Sequence, residues 1–142
     1  MRSKAEFYEH LYSSLASLLE GQRNWVTNLS NASSLLYASL NRYQQRVAGG
    51  SEAKVINWAG FYLLSPFFPQ SDASTASAPK PLKRPTLWLG PFCGLPACQQ
   101  IISVPGKGVC ADASALLPPR AVRVDDTEAY REYPNCLQTS CH

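Results

Sequence analysis

The first 92 residues contain no cysteine; all five lie later, at positions 93, 98, 110, 136 and 141. An odd, lopsided set argues against a secreted fold stapled by disulfides and fits a reducing compartment, where thiols serve chemistry. Charge is also scarce. Charged residues make up 16% of the chain, and 13 Lys and Arg against 10 Asp and Glu leave a net charge of +3. That small, scattered excess excludes a basic face for nucleic acid. No apolar run is long enough to span a bilayer, which excludes a membrane helix. The opening Met1-Arg2-Ser3-Lys4-Ala5-Glu6 leads into an amphipathic pattern rather than an apolar signal core. A cytoplasmic protein with no membrane and no nucleic-acid partner is therefore expected. Lys107 sits between Gly106 and Gly108, but the spacing of a phosphate loop is missing. The acceptor patterns Asn28-Leu29-Ser30 and Asn31-Ala32-Ser33, without a signal sequence, are expected to be chance.

What is present is a globular composition: 45% hydrophobic residues over 142 positions, enough for one domain with a modest core. Phe7, Tyr8, Leu11, Tyr12, Leu15, Leu18 and Leu19 recur at three- and four-residue spacings and predict a helix over about 4–20, ended by Gly21. Leu29, Leu35, Leu36, Leu40 and Tyr43 predict a second over about 31–45, capped by Ser30 or Asn31 and broken at Ala48-Gly49-Gly50-Ser51. Val55 to Leu64, rich in aromatic and branched residues, predicts a strand. Residues 65–85 are dominated by Ser, Ala and Pro and predict a low-complexity surface loop. Thr86 to Leu89, Cys98 to Val104 and Val122 to Val124 predict further strands, with a short helix from Ala111 to Leu117. The first two strands should pair across the loop. The order implies an α+β fold with helices on one face of the sheet. There is no internal repeat.

The only stretch with specific chemistry is Leu89-Gly90-Pro91-Phe92-Cys93-Gly94-Leu95-Pro96-Ala97-Cys98 followed by Gly106-Lys107-Gly108-Val109-Cys110. A punctuated strand with cysteines, then a cysteine on a glycine-flanked turn, is a plausible frame for thiol exchange. The Cys93–Cys98 and Cys136–Cys141 spacings also invite a zinc site, but at the loose end of structural spacings, and no metal is expected. Asp125-Asp126 is expected to be a solvated turn.

Six stretches together are more specific: Gln22-Arg23-Asn24-Trp25-Val26, Asn28 to Leu36, Ile56-Asn57-Trp58-Ala59-Gly60-Phe61-Tyr62, Leu89-Gly90-Pro91-Phe92, Pro96-Ala97-Cys98 and Gly106 to Cys110. In this order, over about residues 20–112, they resemble the free methionine-(R)-sulfoxide reductases, which are built on a GAF domain. The resemblance implies one GAF-like domain over 1–142, with an antiparallel sheet and N-terminal helices on one face. It implies thiol-dependent reduction of free L-methionine-(R)-sulfoxide, with thioredoxin as reductant and no cofactor. By resemblance Cys98 is a resolving cysteine and Cys110 an additional redox partner. Trp58 and Tyr62 match positions that line the methionine pocket, and their spacing puts both on one face of a strand.

The family's attacking cysteine sits in a Tyr-Pro-Gly-His-Ile-Ala-Cys-Asp motif. Here Tyr133-Pro134 is followed by Asn135-Cys136-Leu137-Gln138-Thr139-Ser140-Cys141-His142, so Cys141, beside His142, is taken as the candidate attacking thiol. The family's substrate-binding carboxylates, last strands and closing helix are expected to be missing after Pro134. Such a chain would expose sheet edges and apolar surface, and low solubility or a swapped oligomer, such as a homodimer, is expected. A truncated, non-catalytic GAF module that binds a small molecule is the alternative.

Overall fold

Ser3 starts the first helix by a reciprocal cap. Its hydroxyl accepts from the Glu6 N–H at 3.2 Å, and the Glu6 carboxylate accepts from the Ser3 N–H at 3.0 Å. The computed structural model describes residues 3–48, 54–64, 85–116, 118 and 121–126. Helix α1 runs Lys4–Leu19, and Gly21, at φ 73°, turns the chain behind it. Its buried stripe is narrower than the periodicity predicts. Phe7 and Leu11 are buried, whereas Tyr8, Tyr12 and Leu18 are exposed. The buried part of the face follows the four-residue row of Phe7 and Leu11, with Leu15 and Leu19 half-buried behind them.

Helix α2 runs Trp25–Ala48, beginning six residues before the expected start at Asn31. Asn24 starts it. Its side-chain oxygen accepts from the Thr27 N–H at 3.2 Å and its carbonyl from the Asn28 N–H at 3.0 Å. The segment rich in Asn and Ser that follows has no clear apolar period, which hid the first turns. Phe7 of α1 stacks on Tyr43 of α2, centroids 4.3 Å apart and planes 28° apart, so the two helices run antiparallel. The two acceptor patterns at Asn28 and Asn31 lie within α2, and Ser33 is fully buried.

Three strands follow: β1 Trp58–Leu64, β2 Thr86–Gly94 and β3 Gln100–Ile102, in the spatial order β1-β2-β3. β2 and β3 are antiparallel, with Thr86 opposite Ile102, Leu87 opposite Ile101 and Trp88 opposite Gln100. β2 continues five residues beyond the predicted Leu89, through Gly90-Pro91. Pro91 is tolerated because the β3 ladder has already ended, so its missing N–H breaks no bond to β3. β3 is shorter than predicted and excludes Cys98. Helix α3 runs Val109–Ala115, two residues earlier than expected. The predicted strand at Val122 to Val124 is not formed; the chain is irregular there, with an exposed Arg123–Asp125 ion pair at 2.6 Å and a bend at Asp125. The predicted loop at 65–85 lies outside the described residues except for Pro85.

The chain divides into two compact units, one formed by Met1–Phe61 with Gly90–Pro96, the other by Tyr62–Leu89 with Ala97–His142. In the first, the fully buried Ser33 hydroxyl of α2 lies 2.9 Å from the Pro91 carbonyl. Asn41 closes the edge at Ile56. Its amide donates to the Ile56 carbonyl at 3.1 Å and its oxygen accepts from the Ile56 N–H at 2.9 Å. Asn41 thus satisfies both backbone groups of Ile56 just ahead of β1, and the Asn57 carbonyl accepts from the Leu95 N–H at 2.9 Å. Gly94, at φ 115°, packs so closely on Asn57 that a Cβ would strike the Asn57 carbonyl. In the second unit Thr86 and Leu87 are buried, and Ser103 donates its N–H to the Pro85 carbonyl at 2.8 Å. Ala111 of α3 is fully buried.

Candidate functional site

Cys98 lies between β2 and β3 and is half-buried. The Tyr62 hydroxyl, from the far end of β1, donates to its carbonyl at 2.7 Å. The next carbonyl, Gln99, accepts from the Leu89 N–H of β2 at 2.9 Å. Two consecutive carbonyls are thus held by two strands, one through a side chain and one through backbone. The fold thereby brings together two residues assigned to one site that are 36 positions apart in sequence.

Cys110 occupies the first turn of α3 and is half-buried. A helix this short has little stability of its own. Its placement comes from three attachments. Ala111 is buried, and the Gly106 N–H donates to the Asp112 carboxylate at 2.8 Å. The Ser103 and Ser114 hydroxyls lie 2.6 Å apart. Ser114 also donates to the Ala111 carbonyl at 2.9 Å, so its only proton is used and Ser103 is the donor between the two. Neither serine was singled out in the sequence, where both look like ordinary polar residues.

Trp58 opens β1 in the first unit and stacks on Phe92 of β2, with centroids 6.0 Å apart and planes 19° apart. Gly60 makes this possible. A Cβ there would meet Phe92 Cβ, Phe92 Cα at 2.8 Å and Trp58 Cζ2 at 2.9 Å, so the indole folds over the bare glycine. A glycine inside an otherwise aromatic strand is the signal that identifies such a contact.

Cys93 lies in β2 and is half-buried. The candidate attacking thiol, Cys141, and Cys136 lie outside the described residues. Among the described residues no three His, Cys, Asp or Glu side chains group closely enough to hold a metal ion, and no helix is long and apolar enough to cross a membrane.

No family model matches the chain. A free methionine-R-sulfoxide reductase of Saccharomyces cerevisiae is 42% identical over 113 residues, covering 80% of this chain and 48% of that protein. A solved GAF domain superposes with a TM-score of 0.61 at 36% identity, covering 95% of this chain and 60% of its own. The free methionine-R-sulfoxide reductase of Neisseria meningitidis, solved in complex with its substrate, superposes with a TM-score of 0.65 at 26% identity, covering 97% of this chain and 62% of its own. The chain spans about half the length of the yeast protein it matches. Over the part of their length that it matches, the chain is similar in sequence to the free methionine-R-sulfoxide reductases, and it carries an α+β architecture of the GAF type.

Proposed function

We propose that this chain takes part in thiol-dependent reduction of free L-methionine-(R)-sulfoxide, with thioredoxin as the reductant. The observation that supports it best is the 2.7 Å bond between Tyr62 and Cys98, which joins a residue assigned to the methionine pocket to one assigned to the redox cycle. In this scheme an attacking thiolate bonds to the sulfoxide sulfur. The sulfoxide S–O bond breaks, one proton is taken up overall, methionine leaves and its oxygen remains on the cysteine as a sulfenic acid. A second thiolate attacks the sulfenic sulfur; the S–S bond forms, the S–O bond breaks and the oxygen leaves as water. A dithiol then reduces the disulfide by two electrons and two protons. Cys98 takes the resolving role and Cys110 the additional redox role. Cys141 is the candidate attacking thiol, and Trp58 supplies an aromatic wall to the methionine side chain. We assign the chain to the cytoplasm, where such thiols stay reduced, and assign it a homodimeric state.

The test is NADPH consumption in a thioredoxin-coupled assay with each epimer of free methionine sulfoxide. Turnover is expected with the R epimer only. Absence of stereoselective, thiol-dependent turnover overturns the assignment, and calorimetry then tells whether the chain still binds the amino acid.

A further inference from the structure

We infer that Tyr62 is a positioning residue for Cys98, acting through its hydroxyl, and that this hydroxyl does not address the substrate. The inference deepens the reductase reading and rests on it. A tyrosine hydroxyl has one proton to donate, and that of Tyr62 is directed to the Cys98 carbonyl at 2.7 Å. A sulfoxide oxygen is an acceptor and needs a donor. Tyr62 can supply one only by releasing Cys98. Its ring remains able to line an apolar pocket while its hydroxyl serves the cysteine.

The location explains why Cys98 needs such a hold. It lies outside β3, between Pro96 and the first laddered residue, Gln100. Its own carbonyl is turned to a side chain, and the next is held by Leu89. Disulfide formation accepts only a narrow range of Cα separations, about 4.4–6.8 Å, so the backbone of a resolving cysteine must be in place before the sulfur attacks. In that step the Cys98 thiolate bonds to the sulfenic sulfur, the S–O bond breaks, and the oxygen leaves as water with one proton from solvent. No further oxidant enters. A fixed Cys98 carbonyl limits how far the thiol can wander from that line of attack.

The experiment uses the full chain with Tyr62→Phe, which keeps the ring and removes the hydroxyl. Native-state alkylation by iodoacetamide, read by mass spectrometry, compares Cys98 with Cys110 in the same molecule. Cys98 is expected to label about five- to tenfold faster in the variant, the scale set by one lost hydrogen bond, while Cys110 changes by less than about twofold. Single-turnover disulfide formation is expected to slow by a similar factor with KM unchanged. Unchanged labelling at Cys98, equal acceleration at both cysteines, or a raised KM at constant kcat would each overturn the positioning role. The companion Tyr62→Leu is expected to raise KM, because it removes the ring as well. If the wild-type chain turns over no sulfoxide, the reductase reading fails while the alkylation comparison still reports on the hydroxyl.

Discussion

The Ser33 hydroxyl lies 2.7 Å from the Leu29 carbonyl and 2.9 Å from the Pro91 carbonyl, so one proton is shared between its own helix and a strand 58 residues away. Serine back-bonding inside a helix is usually neutral or mildly unfavourable. Here the same hydroxyl also satisfies the carbonyl of a proline in β2, and it does so with no exposure to water.

Ser33→Ala should therefore cost more than its one-atom change suggests. Removing the buried hydroxyl takes a donor from the half-buried Pro91 carbonyl, a loss of about 1–3 kcal/mol. Ser30, exposed on the same helix, is the control: Ser30→Ala should change stability by less than about 0.5 kcal/mol. Equal denaturant midpoints for the two variants would refute the distinction.

Asn41 offers a sharper test because it uses both ends of its amide on Ile56. Asn41→Leu should cost about 2 kcal/mol by leaving both backbone groups unmatched. Asn41→Asp keeps the acceptor but, when ionised, sets a carboxylate oxygen against the Ile56 carbonyl. The protonated carboxyl can donate there, so folding raises the new carboxyl above its usual value near about 3.9. The stabilisation is then present below that value and lost as pH rises through the folded one. Asn41→Asp should thus lie closer to wild type at about pH 4 than at about pH 7. The reverse order in chemical denaturation would exclude this geometry.

The cysteines separate by role. Cys93→Ser should leave sulfoxide turnover within about twofold, since nothing assigns Cys93 a step in the cycle. Cys98→Ser should abolish the disulfide and let the sulfenic acid accumulate, which dimedone labelling would detect. Loss of activity in the Cys93 variant, with its fold intact, would require a new scheme.

Gly60→Ala should destabilise by about 3 kcal/mol or more, at the upper end of overpacking, because backbone of β2 stands in the way. Thermal melting would reveal it. A variant that melts with the wild type would mean that the two strands are not as close as described.

Local pattern carried the first helix well, since Phe7 and Leu11 sit where the apolar spacing put them. It overstated the stripe, because spacing alone cannot tell Phe7, which meets Tyr43, from Tyr12, which meets solvent. The start of α2 was hidden by Asn and Ser residues, whose preference for caps points to Ser30 or Asn31 as readily as to the true cap at Asn24. Gly90-Pro91 looked like the end of a strand. It is not, because β3 has already stopped pairing there, and which edge is open is a tertiary fact. At the candidate site, the cysteine motifs singled out Cys98 and Cys110. The partner of Cys98 was invisible: Tyr62 is distant in sequence, and no local rule says where a phenol will point. The Ser103–Ser114 bond was missed for the same reason.

The atoms that would obstruct a side chain at Gly60 include Cβ and Cα of Phe92, not only the ring beyond them. Trimming Phe92 to alanine therefore leaves the obstruction standing, and no shortening of that side chain restores a substituted Gly60. The two positions are linked by one-way epistasis. Phe92 can drift while Gly60 is fixed, but Gly60 cannot change until the path of β2 itself has moved.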